Sequence, residues 1–126
     1  MPARAILARP LMRVLLIEDH TDTRAVLCTL LNRCGCQTVT AKCASEARER
    51  LAEMSFDVLI SDRNLPDGDG IDLVREAKQK YQLKAIALTG RTSEEDRAQG
   101  LAAGFDCYLT KPIDFRALRL ALGTSK

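Results

Sequence analysis

Short apolar runs alternate with helix-patterned stretches five times along this chain, and that alternation limits its architecture more than any other feature. Val14-Leu15-Leu16-Ile17 is a continuous apolar run of strand length, as a strand covered on both faces requires. Leu27, Leu30, Leu31 and Cys34 follow at helical spacing, and Gly35 is placed to end that helix. Residues 37–41 alternate around Val39, the pattern of an edge strand. Ala47, Leu51 and Met54 mark a second helix over 44–54, and Val58-Leu59-Ile60 a third strand over 57–61. Ile71, Val74, Ala77 and Tyr81 mark a third helix, and Ile86 with Leu88 a strand over 84–89. Thr92-Ser93-Glu94-Glu95 reads as a capping box opening a fourth helix, with Ala98, Leu101 and Ala102 as its apolar face and Gly104 as its end. A fifth strand spans 106–110, and Asp114 caps a last helix carrying Phe115, Leu118 and Leu122.

The pattern predicts an α/β fold of the (βα)5 kind. A doubly wound, parallel, five-stranded sheet with right-handed crossovers carries helices on both faces. The 126 residues suit one domain. Residues 1–12 read as a basic extension outside the fold, 13–122 as the domain and 123–126 as a tail. Because the sequence ends one turn after the fifth helix, no output domain is expected.

Composition narrows the function classes. Aromatics make up 4% of the chain and Trp is absent, which disfavours an immunoglobulin-like core and aromatic platforms for single-stranded nucleic acid. The net charge is +2, but Arg4, Arg9 and Arg13 contribute +3, leaving the remainder at −1. Direct nucleic-acid binding is therefore not expected. The five cysteines are Cys28, Cys34, Cys36, Cys43 and Cys107; Cys34-Gly35-Cys36 lacks the C-x-x-C spacing of redox and zinc motifs. They read as reduced, mostly buried small residues of a cytoplasmic protein. No apolar run approaches the roughly 18 residues of a membrane span, and Arg9-Pro10 interrupts the start before a signal sequence can form.

In open α/β sheets ligands bind beyond the carboxyl ends of the strands. There the sequence places Glu18-Asp19 after the first strand, Asp62 after the third, Thr89 at the fourth and Lys111-Pro112 after the fifth. Singly, each has a plain reading: Asp19 as a helix N-cap, Lys111 as a solvated loop residue. Together, three carboxylates repel one another unless a cation compensates them. Oxygen ligands select a hard ion, Mg²⁺ or Mn²⁺. With a lysine and a threonine hydroxyl added, such a site can stabilise a phosphoryl group in transfer. Asp62, on the central strand between the acid pair and the Thr/Lys side, is the candidate acceptor.

Four separated motifs carry a resemblance. Leu15-Leu16-Ile17-Glu18-Asp19, Ser61-Asp62-Arg63-Asn64-Leu65-Pro66 with Asp69-Gly70, Ala87-Leu88-Thr89-Gly90 and Tyr108-Leu109-Thr110-Lys111-Pro112 resemble, in order and spacing, the receiver domain of two-component response regulators. The resemblance covers residues 13–122 and implies a flavodoxin-like strand order 2-1-3-4-5. It implies that Asp62 is the phosphorylated residue, and that Glu18, Asp19, Asp62 and the Asn64 main-chain carbonyl hold the metal. It further implies that Lys111 pairs with phosphoryl oxygens before a cis Pro112, that Thr89 moves to hydrogen-bond the phosphoryl group while Tyr108, the aromatic switch, rotates inward with it, and that Gly90 leaves room for the ligand. Asn64 and Arg91 would tune hydrolysis. The first acid is Glu rather than Asp, which bears on direct or water-mediated contact with the ion.

The implied function is a signalling phosphoacceptor and not an enzyme. Its phosphoryl group comes from a phosphohistidine of a histidine kinase or histidine phosphotransfer domain. Output, and any homodimer, would use the face of the fourth helix, fifth strand and fifth helix. It would be a stand-alone regulator, or the receiver of a larger regulator or hybrid sensor kinase; the Leu65–Gly70 loop favours the hybrid. The alternatives are a Mg²⁺-dependent phosphohydrolase or nucleotidyl-transfer domain using the same carboxylates, a flavin binder, and an unphosphorylated receiver. Glu18-Asp19 would repel a flavin phosphate. His20 reads as a solvent-facing loop residue rather than a ligand. A calcium loop starting at Asp67 fails because Ile71 falls where an acid is needed, so Asp69 reads as a helix cap.

Overall fold

The computed structural model describes residues 12–90 and 94–123. Five parallel strands form one sheet: β1 (Met12–Ile17), β2 (Cys36–Ala41), β3 (Val58–Asp62), β6 (Lys84–Thr89) and β7 (Cys107–Thr110). Their order is β2-β1-β3-β6-β7. The helices are α1 (Thr21–Arg33), α2 (Ala44–Glu53), α3 (Gly70–Lys80), α4 (Glu94–Ala103) and α5 (Phe115–Leu122). Two short strands, β4 (Asn64–Leu65) and β5 (Gly68–Asp69), pair antiparallel in the segment after β3. The sequence pattern presents that segment as a turn; it is a tight ribbon.

The apolar runs form strands because alternate residues feed two cores. Leu15, Ile17, Leu59, Ala85 and Ala87 face α2 and α3, where Leu51, Leu73 and Val74 meet them. Val14, Leu16, Val58, Ile60, Ile86 and Leu88 face the opposite way, onto Leu27 and Leu31 of α1 and Leu118 and Leu122 of α5. Leu59 is fully enclosed; truncating such a residue to Ala costs about 2–5 kcal/mol. β2 is an edge strand, as its alternation predicts.

Several boundaries differ from the sequence reading. β1 begins at Met12, whose register partner is Cys36. β3 starts at Val58, because Asp57 turns its carboxylate to the Arg13 amide at 2.8 Å. Tyr81 is the C-cap of α3 rather than part of its face, and α1 is capped by Cys34 with Gly35 next in the left-handed region at φ 84°. Asp69 caps α3 through Ile71 N–H, and Asp114 caps α5 through Arg116 and Ala117 N–H, both as expected.

The expected apolar face of α4 is wrong. Ala98, Leu101 and Ala102 are exposed, Leu101 by 55%, and the helix buries Gly100 and Ala103 instead. The Tyr108 ring fills the space beneath Gly100, so the helix meets the domain through its smallest residues. The cysteines also depart from expectation. All five are free, yet only Cys36 is buried and the other four are half-buried. Burial raises the Cys36 thiol to about 11, with Cys34 adding to the rise, and burial also raises Cys34 and Cys107. These three are poor thiolates at neutral pH. Among the described residues no helix is long and apolar enough to cross a membrane. Residues 1–11, 91–93 and 124–126 lie outside the described residues, and with them the expected Thr92 cap of α4.

Candidate functional site

The site lies where the carboxyl ends of β1, β3, β6 and β7 open between loops. β1 ends at Ile17, and the next residue, Glu18, is still 1% exposed, its amide held to Ala41 O at 3.0 Å. Asp19 follows and is exposed. β3 delivers Asp62 beside them, and each of the three acids offers an oxygen within 4.8 Å of the others. Among the described residues this is the acidic group close enough to share one cation.

Lys111 reaches in from beyond β7. Its Nζ lies 2.8 Å from Glu18 Oε1 and 2.9 Å from Asp62 Oδ2. The backbone behind it is held by the Lys111 N–H, which donates to Thr89 O at 2.8 Å, and the Lys111-Pro112 peptide is cis. Partial burial alone would lower the Lys111 ammonium, but hydrogen bonds to Glu18 and Asp62 and their charges hold it above its ordinary value. It is a permanent cation at neutral pH.

The other oxygen of Glu18 accepts from His20 N–H at 3.1 Å, so both of its oxygens are engaged. Asp62 Oδ1 accepts from Asn64 N–H at 3.3 Å. Three carboxylates against one paired ammonium leave two negative charges, which a divalent cation matches. The donors are all oxygens, which fits a hard ion such as Mg²⁺. The donor set therefore fits the expected metal.

A cleft of about 640 Å³ opens beside Asp62, lined among others by Arg63, Ala87, Thr89, Gly90, Tyr108 and Lys111. Thr89 ends β6 and pairs in register with Thr110. Tyr108 points into the domain rather than to solvent: its hydroxyl donates to Asp96 O at 2.7 Å and lies 3.2 Å from Arg97 O. Burial raises the Tyr108 phenol above its ordinary value, against the opposing charge of Arg63.

Three contributors escaped the sequence reading. Arg24 of α1 reaches back to the acid pair, donating to Glu18 O at 2.9 Å and Asp19 O at 3.4 Å. Asp67, in the turn between β4 and β5, accepts from Ala44 N–H at 2.8 Å and Ser45 N–H at 3.0 Å, capping α2 from a distant loop. The local cap residue there, Cys43, makes no side-chain cap bond. Arg63 bridges to α4. Only Arg24 had a visible signal, its place one turn into the helix behind the acids. His20 is exposed as expected; it, and not Asp19, caps α1, through Nδ1 and Thr23 N–H at 3.3 Å.

With this geometry in place, the comparisons are specific. The family model of the response regulator receiver domain matches residues 14–123. The response regulator protein PilR of Pseudomonas aeruginosa is 37% identical over 114 residues, which cover 90% of this chain and 26% of PilR. The chain thus spans about a quarter of that relative's length. Chemotaxis response regulator CheY4 of Vibrio cholerae superposes with a TM-score of 0.84 at 29% identity, covering 90% of this chain and 98% of CheY4. The receiver domain of Ssk1 from Saccharomyces cerevisiae, solved with the histidine phosphotransfer protein Ypd1, gives a TM-score of 0.78 at 27% identity, covering 88% and 86% of the two chains. The strand order expected from the resemblance, 2-1-3-4-5, is the β2-β1-β3-β6-β7 order of the sheet once the short ribbon is set aside. Nothing in the comparisons favours the phosphohydrolase alternative. On fold, motif spacing and likeness together, this chain belongs to the receiver domains of two-component response regulators.

Proposed function

We propose that Asp62 is the phosphoacceptor of this receiver. The observation that carries the reading is the Lys111 ammonium held 2.9 Å from an Asp62 carboxylate oxygen, with Glu18 and Asp19 beside it. An Asp62 oxygen attacks phosphorus in line; the new O–P bond forms as the donor's N–P bond breaks, and the electron pair leaves on the imidazole nitrogen. Lys111 neutralises phosphoryl oxygens as charge shifts onto them. Glu18, Asp19, Asp62 and the Asn64 main-chain carbonyl would hold Mg²⁺ or Mn²⁺, which when bound supplies further neutralisation. By lowering the barrier to its own modification and its reversal, the domain assists both without turning over a separate substrate.

The Thr89 hydroxyl then binds the phosphoryl group, Gly90 leaves space for it, and the Tyr108 ring, already inside the domain on the Asp96 carbonyl, is held there as Thr89 moves. Asn64 and Arg91 set the lifetime of the acyl phosphate. The donor is a phosphohistidine on a histidine kinase or a histidine phosphotransfer domain, a partner class supported by the likeness to Ssk1. Output, and a homodimer where one forms, uses the face of α4, β7 and α5, where Leu101 and Leu120 are exposed. The five free thiols support a cytoplasmic setting. The decisive test is incubation with acetyl phosphate and Mg²⁺ followed by intact mass. The wild type gains one phosphoryl group and Asp62→Asn gains none; equal gain by both would defeat the reading.

A further inference from the structure

α4 buries little apolar surface against the domain. Its larger apolar residue, Leu101, faces solvent, and it buries only Gly100 and Ala103. Little hydrophobic area therefore fixes its first turns. Polar bonds do so instead. Arg63, the residue after Asp62, sends its guanidinium across the cleft: Nη1 lies 3.3 Å from Asp96 O and 3.4 Å from Asp96 Oδ1, and Nη2 donates to Gln99 Oε1. The Tyr108 hydroxyl meets the same Asp96 carbonyl. On its other side Arg63 Nε stands 3.9 Å from Asp69, the cap of α3. Its own carbonyl accepts Gly70 N–H at 2.7 Å, which fixes the base of the side chain.

We propose that Arg63 is a positioning residue that ties α4 to the phosphoacceptor loop, and that a phosphoryl group on Asp62 competes for its guanidinium and frees the helix. The inference rests on Asp62 being the acceptor. The planar fork of arginine binds phosphoryl oxygens better than it binds a carbonyl or an amide oxygen. Arg63 lines the same cleft as Asp62, Thr89 and Lys111, so the competing ligand would arrive within its own pocket. The Asp96 carboxylate is 37% exposed and stands 3.4 Å from Nη1, so the charged part of the tether is weak. This line of transmission does not pass through Thr89, and it meets Tyr108 only at the Asp96 carbonyl that both side chains hold. It begins one residue from the modified side chain and ends on the helix itself.

Hydrogen exchange read by mass spectrometry tests it, on wild type and Arg63→Ala, with and without acetyl phosphate and Mg²⁺, with phosphate uptake followed by intact mass. Without phosphate, α4 amides in Arg63→Ala exchange about three- to tenfold faster than in wild type, while β1 and α1 are unchanged. Phosphorylation then accelerates α4 in wild type and adds little in the variant. Equal α4 exchange in the two unmodified proteins, or equal acceleration of both by phosphorylation, overturns the proposal. The first comparison needs no phosphoryl donor, so failure of the wild type to take up phosphate would refute the acceptor while leaving the tether measured. If Arg63→Ala loosens the whole chain, Gln99→Ala repeats the comparison from the helix side: faster exchange confined to α4 supports the tether, and unchanged exchange refutes it.

Discussion

Tyr108 rests against Gly100, its hydroxyl occupying the space that a Cβ at residue 100 would need. That contact lets the phenol reach the Asp96 carbonyl and holds the ring inside the domain. Gly100→Ala should expel the ring. Replacing glycine within a helix favours the helix by roughly 0.5–1 kcal/mol, while the lost packing and hydrogen bond cost about 1–3 kcal/mol, so the net change is destabilising. Burial raises the Tyr108 phenol, so its ionisation removes stability as pH rises through that raised value. In Gly100→Ala the phenol titrates nearer its ordinary value of about 10, which ultraviolet titration in a Tyr81→Phe background reads directly. An unchanged titration would mean that the ring had stayed in place.

Arg24 braces the metal-side acids through their main chain, with 2.9 Å to Glu18 O. Residues that orient a ligand without touching the ion typically account for about 10- to 100-fold in affinity, and a partly exposed bond belongs at the low end. Arg24→Ala should therefore weaken Mg²⁺ binding about three- to tenfold, measured by calorimetry, with a smaller effect for Arg24→Lys. Unaltered affinity in Arg24→Ala would leave Arg24 as a helix residue only.

Much of this was legible in the sequence, for a physical reason. A parallel strand covered on both faces must be apolar throughout, so Val14–Ile17 and Val58–Ile60 announce themselves, and the polar residues that end them mark the ligand edge. The helix caps Asp69 and Asp114 were readable because their bonds are local. Asp67 was not, because its partner Ala44 lies 23 residues away, and Arg63 was not, because Asp96 lies 33 residues away. Nothing local encodes such pairs. The α4 face failed for a different cause: the residue that decides it, Gly100, acts by having no side chain, and hydrophobic periodicity does not register an absence.

Asp67 gives a pH signature. Hydrogen bonds from Ala44 N–H and Ser45 N–H hold its carboxyl below the ordinary range against an opposing effect of desolvation, with a lesser contribution from Cys43. A carboxyl depressed in the folded state contributes stability above its unfolded value of about 3.9 and loses it as pH falls through the lower folded value. Asp67→Asn should be less stable than wild type at about pH 6, and the gap should close toward about pH 2. Urea unfolding across that range checks it. A gap that stays constant with pH would assign the effect to shape rather than charge.

The central claim concerns which carboxylate becomes covalently bound to phosphorus. Treating the phosphorylated protein with borohydride reduces an aspartyl phosphate to homoserine, and peptide mass mapping locates the reduced residue. The account predicts homoserine at position 62 and nowhere else. Reduction at Asp19 or Glu18, or stable phosphate on His20 with Asp62 intact, would contradict it.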